Sequence, residues 1–337
     1  MEPLESMDAR AGEAALVCRE LLGEPAIGWE DPGGQHRKST RLFLANRSVI
    51  ATLRDSAERA DLEAGVLRSL HAQGAPVPAV LAYDGRWLLQ EDIAGERLSR
   101  ALRRVGKEEA FELQDRALAS LHAIHQAGSR AGLAARCFRI GNSREWVEGL
   151  AAAPAKLGTF LGLAAPEIDT AAVVRVLLRR PASFIKWDAR PPNAVVKPSG
   201  EIAWFDWEHC GTRHQLDDIV WFLGDESIID RPGDERRLLN RWVSRFDEGG
   251  YPAGPADYTM TQGALHCAVR LSIHVSSAAR EQSPGDWRET LAGRGPDTLS
   301  SGGLRLARRG LRWSEKSSAL QPLAHWFRAV RERFSAA

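Results

Sequence analysis

The chain has 337 residues, 44% hydrophobic and 26% charged, with 45 basic residues against 44 acidic ones. That length can bury a full core and hold two lobes, and the composition is that of a soluble globular protein. A net charge of +1 exerts no overall pull on nucleic acid or anionic lipid, so neither nucleic acid nor membrane is an expected partner. The four cysteines, Cys18, Cys137, Cys210 and Cys267, form no CxxC pair, which points to a reducing compartment rather than a disulfide framework. The opening MEPLESMDAR is acidic and lacks an apolar core. No run approaches the roughly 18 apolar residues of a membrane helix, and a cytoplasmic location is expected.

In chain order, "AALVCRELLG" spaces Leu16, Leu21 and Leu22 like one helix face. Pro32-Gly33-Gly34 breaks the pattern. "TRLFL" and "SVIATL" read as strands joined through Ala45-Asn46-Arg47 in a hairpin. "RADLEAGVLRSLHAQG" is a predicted helix with Leu62, Val66, Leu67 and Leu70 on one face and Gly74 at its C-terminal cap. "VPAVLAYDGRWLLQEDI" supplies two more strands around Asp84-Gly85, so residues 30–93 form a small sheet with one helix. After Gly95 the period turns helical, most strongly in "EEAFELQDRALASLHAIHQAG" and again over 143–180. "FIKWDARPPNAVV" and "EIAWFDWEHC" then return to strand character, with "KPSGE" as the turn of an embedded hairpin at 184–207. Helices resume at 216. Residues 281–303 read as a long loop, "RLARRGLR" at 305–312 as a solvated basic face, and "LQPLAHWFRAVRERF" as a packed terminal helix. The expected class is α+β and bilobal. A β-rich lobe over 1–93 meets a larger helical lobe over 94–337, with a small-molecule cleft between them.

Asp188 and Asn193 stand five apart, and Asp206 follows thirteen residues after Asn193 at the end of an apolar run. Oxygen ligands of this kind suit Mg²⁺ and a phosphoryl donor, while turn chemistry is the plainer use of Asp and Asn. His209, Cys210 and His214 lack a second ligand pair at zinc spacing. His122 and His125 are expected to pack within their helix, and Asp218 to anchor a loop or cap a helix. Trp187, Trp204, Trp207 and Trp221 gather near the same segment, with core packing as their expected role.

Asp-x-x-x-x-Asn followed by a strand-borne Asp resembles the kinase catalytic loop and its metal-binding Asp. The stretch "IAWFDWEHCGTRHQLDDIVWFL" more specifically resembles the aminoglycoside-phosphotransferase/choline-kinase-like family, small-molecule kinases with the protein-kinase fold. Softer matches are "LEAGVLRSLHAQGAPVPAVL", "WLLQEDIAGERLS" and "ALASLHAIHQAG", so that the resemblance covers about residues 28–225. It implies ATP and Mg²⁺ as cofactors and a small hydroxyl-bearing substrate, handled by a monomer or homodimer. Asp188 would take or orient the hydroxyl proton, and Asn193 and Asp206 would hold Mg²⁺. Arg190 would stabilise the transferring phosphoryl group. Arg54 stands where the phosphate-binding Lys is expected, with Glu63 as its ion-pair partner. Backbone groups of Glu91 to Ile93 would meet adenine, and Gly33 and Gly34 would let the backbone approach phosphates.

The sequence departs from the family pattern at several points. Lys186-Trp187 replaces the family's His-Gly, and Pro192 replaces its Gly. Residues 186 and 188 share a side of an extended segment, so Lys186 is expected to pair with Asp188. These departures keep open an alternative, a nucleotide-binding pseudokinase or regulatory module. The acceptor is expected among the helices of 143–180 and those after 221, where Asp225, Glu226, Asp230, Asp234 and Glu235 would suit an aminoglycoside. Amino alcohols, sugars and amino acids fit as well.

Overall fold

The computed structural model describes residues 8–32, 38–179, 183–281 and 299–335. Gly33 and Gly34, and most of the predicted 281–303 loop, lie outside them. The chain opens with α1 (Ala9–Leu22), capped by the Asp8 carboxylate on Ala11 N. Its buried face is Ala11, Ala14 and Cys18, while Leu16 and Leu21 are exposed. The expected leucine face is therefore the wrong one. Small side chains let the helix axis lie close on the sheet; Leu16 and Leu21 are left outside, and Leu22 packs partly buried against the core.

That sheet has five antiparallel strands in the order β1-β2-β3-β5-β4. They are β1 (Gly28–Glu30), β2 (Ser39–Phe43), β3 (Ser48–Leu53), β4 (Val80–Tyr83) and β5 (Trp87–Glu91). The expected hairpin closes with Leu44 N on Arg47 O at 2.7 Å, and the Asp84 carboxylate binds Arg86 N and Trp87 N in the second turn. Alternation sorts the strands between two cores. Val49, Ala51, Trp87 and Leu89 pack with α1, whereas Leu88 faces α2 (Ala57–Ala72) and joins the larger core.

Past Gly95 come β6 (Glu96–Arg97), α3 (Leu98–Arg104) and α4 (Lys107–Arg130). Gly95 has φ 146°, and a Cβ there would lie 2.3 Å from Val196 O. Only glycine fits where the connection crosses the later hairpin. Three short helices follow, α5 (Arg144–Ala151), α6 (Ala153–Leu161) and α7 (Thr170–Leu177). The predicted single hairpin at 184–207 is resolved into two pairings. β8 (Ala194–Val196) and β9 (Ile202–Trp204) form a hairpin through the KPSGE turn, extended by β6. β7 (Ser183–Ile185) instead pairs with β10 (Gly211–Arg213). The loop after β7 and the loop after β9 thus project from adjacent two- and three-stranded sheets.

The remaining helices are α8 (Leu216–Leu223), α9 (Pro232–Trp242), α10 (Gly254–Glu281), α11 (Leu299–Lys316) and α12 (Pro322–Ser335). On α12 the predicted stripe Leu323, Trp326, Phe327, Val330 and Phe334 is buried. The basic run on α11 is not a solvated face: Arg309 is buried and paired with Glu235 at 3.1 Å, and Arg312 binds Asp230 and Glu235 at 2.6 and 2.7 Å. The four cysteines are free, and no described helix is long and apolar enough to cross a membrane.

Candidate active site

Two non-glycine residues among those described have positive φ, Trp187 at 65° and Asp206 at 62°. Each sits in one of the two projecting loops, and such backbone persists only where its surroundings over-determine it. Asp218, in the first turn of α8, does this for the first loop. Its buried carboxylate accepts from Lys186 N at 2.9 Å and Trp187 N at 2.8 Å, and meets His125 Nε2 at 2.7 Å. Asp218 is thus a loop anchor rather than a helix cap. His125 is the buttress behind it, resting edge-on against Phe246 with ring centroids 5.0 Å apart.

Beyond Trp187 the loop presents Asp188 and closes in a short helical turn, Pro191–Asn193, with Asn193 N on Arg190 O at 2.8 Å. Pro191 starts that turn, where a missing N–H costs nothing. Asn193 Nδ2 donates to Asp188 Oδ2 at 2.7 Å and to the Asp188 carbonyl at 3.1 Å. The amide nitrogen is therefore committed to Asp188, and Asn193 Oδ1 is the end available to a cation. Phe205 N donates to Asn193 O at 3.0 Å, which sets Asp206 next to this loop.

Lys186 does not pair with Asp188. Its fully buried side chain runs the other way, and Nζ donates to the Asp206 carbonyl at 2.5 Å over the Trp207 ring at 5.0 Å. The strained turn at Trp187 breaks the simple alternation on which the expected pairing rested. Lys186 consequently ties the Asp188 loop to the Asp206 segment.

Arg54 directly follows β3 and Glu63 lies on α2. Nε and Nη2 of Arg54 bind the two Glu63 oxygens at 2.7 and 2.8 Å. Nη1 reaches Glu208 at 3.0 Å, and Nη2 stands 3.8 Å from Asp206 Oδ1. Burial raises the Glu63 carboxyl pKa and Arg54 pulls it back; burial opposes the Arg54 charge, but Glu63, Glu208 and Asp206 outweigh it. The expected ion pair is present and extends to the Asp206 segment, through Trp207 N on Glu63 Oε1 at 3.3 Å.

Arg190 is held by two carboxylates: Nε binds Asp225 at 2.5 Å and Nη2 binds Glu226 at 2.9 Å. Burial alone would raise the Asp225 pKa, yet Arg190 and Arg270 hold it below the ordinary carboxylate value. At the proposed adenine segment, the Glu91 N–H is taken by the Ala79 carbonyl at 2.9 Å. Adenine contact through that N–H is excluded. No cluster of three His, Cys, Asp or Glu side chains with metal-ligand geometry occurs among the described residues, and His209, Cys210 and His214 form no zinc site. The residues that sequence reasoning passed over are Glu208 and Arg270. Glu208 lies within the quoted DWE, so its nearness to Arg54 could have been suspected; Arg270 sits in a helix with no local signal.

The family model of the phosphotransferase enzyme family matches residues 34–255, about two thirds of the chain. The protein belongs to that family. Its fold is the bilobal protein-kinase-like one, as three solved structures illustrate. A candidate aminoglycoside phosphotransferase from Ralstonia eutropha JMP134 is 16% identical, with TM-score 0.59 over 91% of this chain and 99% of its own. The kinase APH(2")-IIia, solved with GDP and kanamycin, is 11% identical with TM-score 0.56 over 89% and 99%. The choline kinase LicA from Streptococcus pneumoniae is 14% identical with TM-score 0.54 over 91% and 99%. No curated protein matches the chain.

Proposed function

We propose that the protein transfers the γ-phosphoryl group of ATP to a hydroxyl of a small molecule. The observation that carries this reading is the junction of the two loops. Asp188 and Asn193 are hydrogen-bonded at 2.7 Å, and Asp206 is tied beside them by Phe205 N and Lys186 Nζ. Mg²⁺ favours few protein oxygens and keeps phosphate and water in its shell, so one carboxylate and one amide oxygen fit it better than an all-protein cage would. Asp206 and Asn193 Oδ1 would hold it. When bound, the ion neutralises charge on the phosphates as transfer proceeds.

Asp188 accepts or orients the acceptor hydroxyl proton. The transition state of phosphoryl transfer is loose, so its main task is to aim the oxygen in line with the phosphorus. Asn193 Nδ2 holds the Asp188 carboxylate in one rotamer for that purpose. Arg54 supplies the phosphate-facing charge of the smaller lobe, fixed by Glu63. ADP bound to a spectinomycin phosphotransferase of this fold and ATP bound to another neighbour support nucleotide use. The lobe boundary near residue 93 is part of the same proposal.

The purified protein is expected to hydrolyse ATP slowly with Mg²⁺. Asp188→Ala is expected to lower that rate at least a hundredfold while nucleotide binding persists in a thermal-shift titration. Wild-type protein that binds neither ATP nor GTP in the presence of Mg²⁺ contradicts the reading.

A further inference from the structure

A protein recognises a cationic small molecule with carboxylates or aromatic faces left open to receive it. Both devices exist beside the Asp188 loop, and both are already used inside the protein. Asp225 binds Arg190 at 2.5 Å. Glu226 binds Arg190 at 2.9 Å and receives two N–H groups of Arg270, with Nη2 at 2.7 Å. Asp230 and Glu235 are held by Arg312, and Arg309 adds a second contact to Glu235. Four of the five carboxylates that would have suited an aminoglycoside are thus matched by four guanidinium groups; the fifth, Asp234, is buried, with Arg237 3.6 Å from Oδ1 and Oδ2 without a hydrogen-bond partner.

The aromatic surface is spent in the same way. Trp146, Trp187 and Trp221 form a partly exposed row, with centroid separations of 6.0 and 5.3 Å. The Arg213 guanidinium lies 4.4 Å from the Trp146 ring centre and 5.4 Å from that of Trp187. Arg213 is itself buried and bound to Asp217 at 2.6 Å, so it cannot leave cheaply. A second cation would meet a positive charge where it needed a free π face.

Three side-chain nitrogens beside this loop have no acceptor. Trp221 Nε1 and His266 Nε2 are buried without a hydrogen-bond partner, and their rings pack 4.6 Å apart. His266 is only 5% exposed. Arg190 Nη1, on the loop that carries Asp188, makes no hydrogen bond among the described residues. Indole and guanidinium N–H groups can only donate, and burying them without an acceptor costs free energy. They call for a ligand rich in acceptor oxygens.

We infer that the acceptor of the proposed phosphotransfer carries no net positive charge and is an uncharged or anionic polyhydroxyl compound, such as a sugar or a hydroxy acid. This inference rests on the phosphotransferase reading above. It sets the chain apart from neighbours solved with kanamycin and streptomycin, which are cations.

The test measures ADP release by the full-length protein with Mg²⁺ and ATP against a charge-graded panel. Kanamycin, streptomycin and choline stand at one end; glycerol, glucose, glycerate and gluconate stand at the other. At least one of the latter four is expected to raise ADP release tenfold or more, and none of the three cations to do so. Tenfold stimulation by any of the cations overturns the inference. Kanamycin binding measured by calorimetry gives a second reading. Glu226→Gln is expected to change the kanamycin Kd less than twofold, because the carboxylate is already neutralised; a tenfold weakening shows that Glu226 does receive cations and overturns the inference. Absence of Mg²⁺-dependent nucleotide binding, measured before any acceptor is added, separates failure of the phosphotransferase reading from failure of the acceptor assignment.

Discussion

Asp218 contributes no atom to the proposed chemistry, yet it holds the backbone of the Asp188 loop. Its carboxylate satisfies two buried N–H groups and meets His125, and removing it strands all three. Asp218→Ala is expected to lower unfolding free energy by about 3 kcal/mol or more, read from the urea midpoint, with Asp218→Asn intermediate. A loss for Asp218→Ala below about 1 kcal/mol would contradict the anchor role. Lys186 is a positioning residue at the same junction, since its Nζ holds the Asp206 carbonyl. Lys186→Met is expected to lower turnover at least tenfold and to weaken nucleotide binding in Mg²⁺ more than in EDTA. Lys186→His, which keeps an N–H donor, is expected to retain more of both. Equal behaviour of the two variants and wild type makes Lys186 incidental. Asp188, Asn193 and Asp206 were legible in the sequence because their spacing is local and their residue types are chemically specific. The partner of Lys186 was not, because it depends on a left-handed turn at Trp187 that no residue preference announces.

The elements place these residues through close approaches as well as through apolar faces. Gly95, Gly128 and Gly211 lie where α4, the sheets and their connections cross, and a Cβ at Gly128 would stand 2.5 Å from Phe184. Gly95→Ala adds a disfavoured φ to a clash with Val196 O, and is expected to destabilise the protein by roughly 2 kcal/mol or more. Differential unfolding by hydrogen exchange should show β6 and β8 opening first; unchanged protection there would contradict the crossing as a constraint. The strands β2 to β5 and β7 to β9 were readable from their apolar runs, and the two turns from Asn46 and Asp84-Gly85, whereas the two- and three-residue strands β1, β6 and β10 were not. The pairing of β7 with β10 was not, because three-residue strands carry no register signal and the partner lies beyond the β8–β9 hairpin.

On the scale of the whole molecule, arginine does much of the buried electrostatic work. Arg54, Arg213, Arg190 and Arg309 each neutralise a carboxylate in or near the core. Two buried histidines make the opposite contribution. Burial lowers His266 to about 3 and His214 to about 4, so the folded chain refuses protons that the unfolded chain takes up near pH 6.5. The unfolded state therefore binds more protons between pH 6.5 and about 4, and stability falls as pH drops through that window. Each refused proton contributes a slope of roughly 1.4 kcal/mol per pH unit. Denaturant titrations across this range are expected to show the decline, and His266→Gln to flatten it; an unchanged slope in that variant would assign the effect elsewhere.

The sequence by itself determined the α+β order of elements, the bilobal plan and the Asp188–Asn193–Asp206 set. These follow from hydrophobic period, turn residues and local spacing, all of which a linear chain carries. Only the tertiary structure decided which face of α1 is buried, where Lys186 and Arg190 point, and which carboxylates near the site are already neutralised. Those outcomes depend on residues brought together from far along the chain. Arg270 lies 44 positions from Glu226, and Arg309 lies 74 from Glu235. No local pattern encodes such pairs, because the energy that selects them arises only when both partners leave water together.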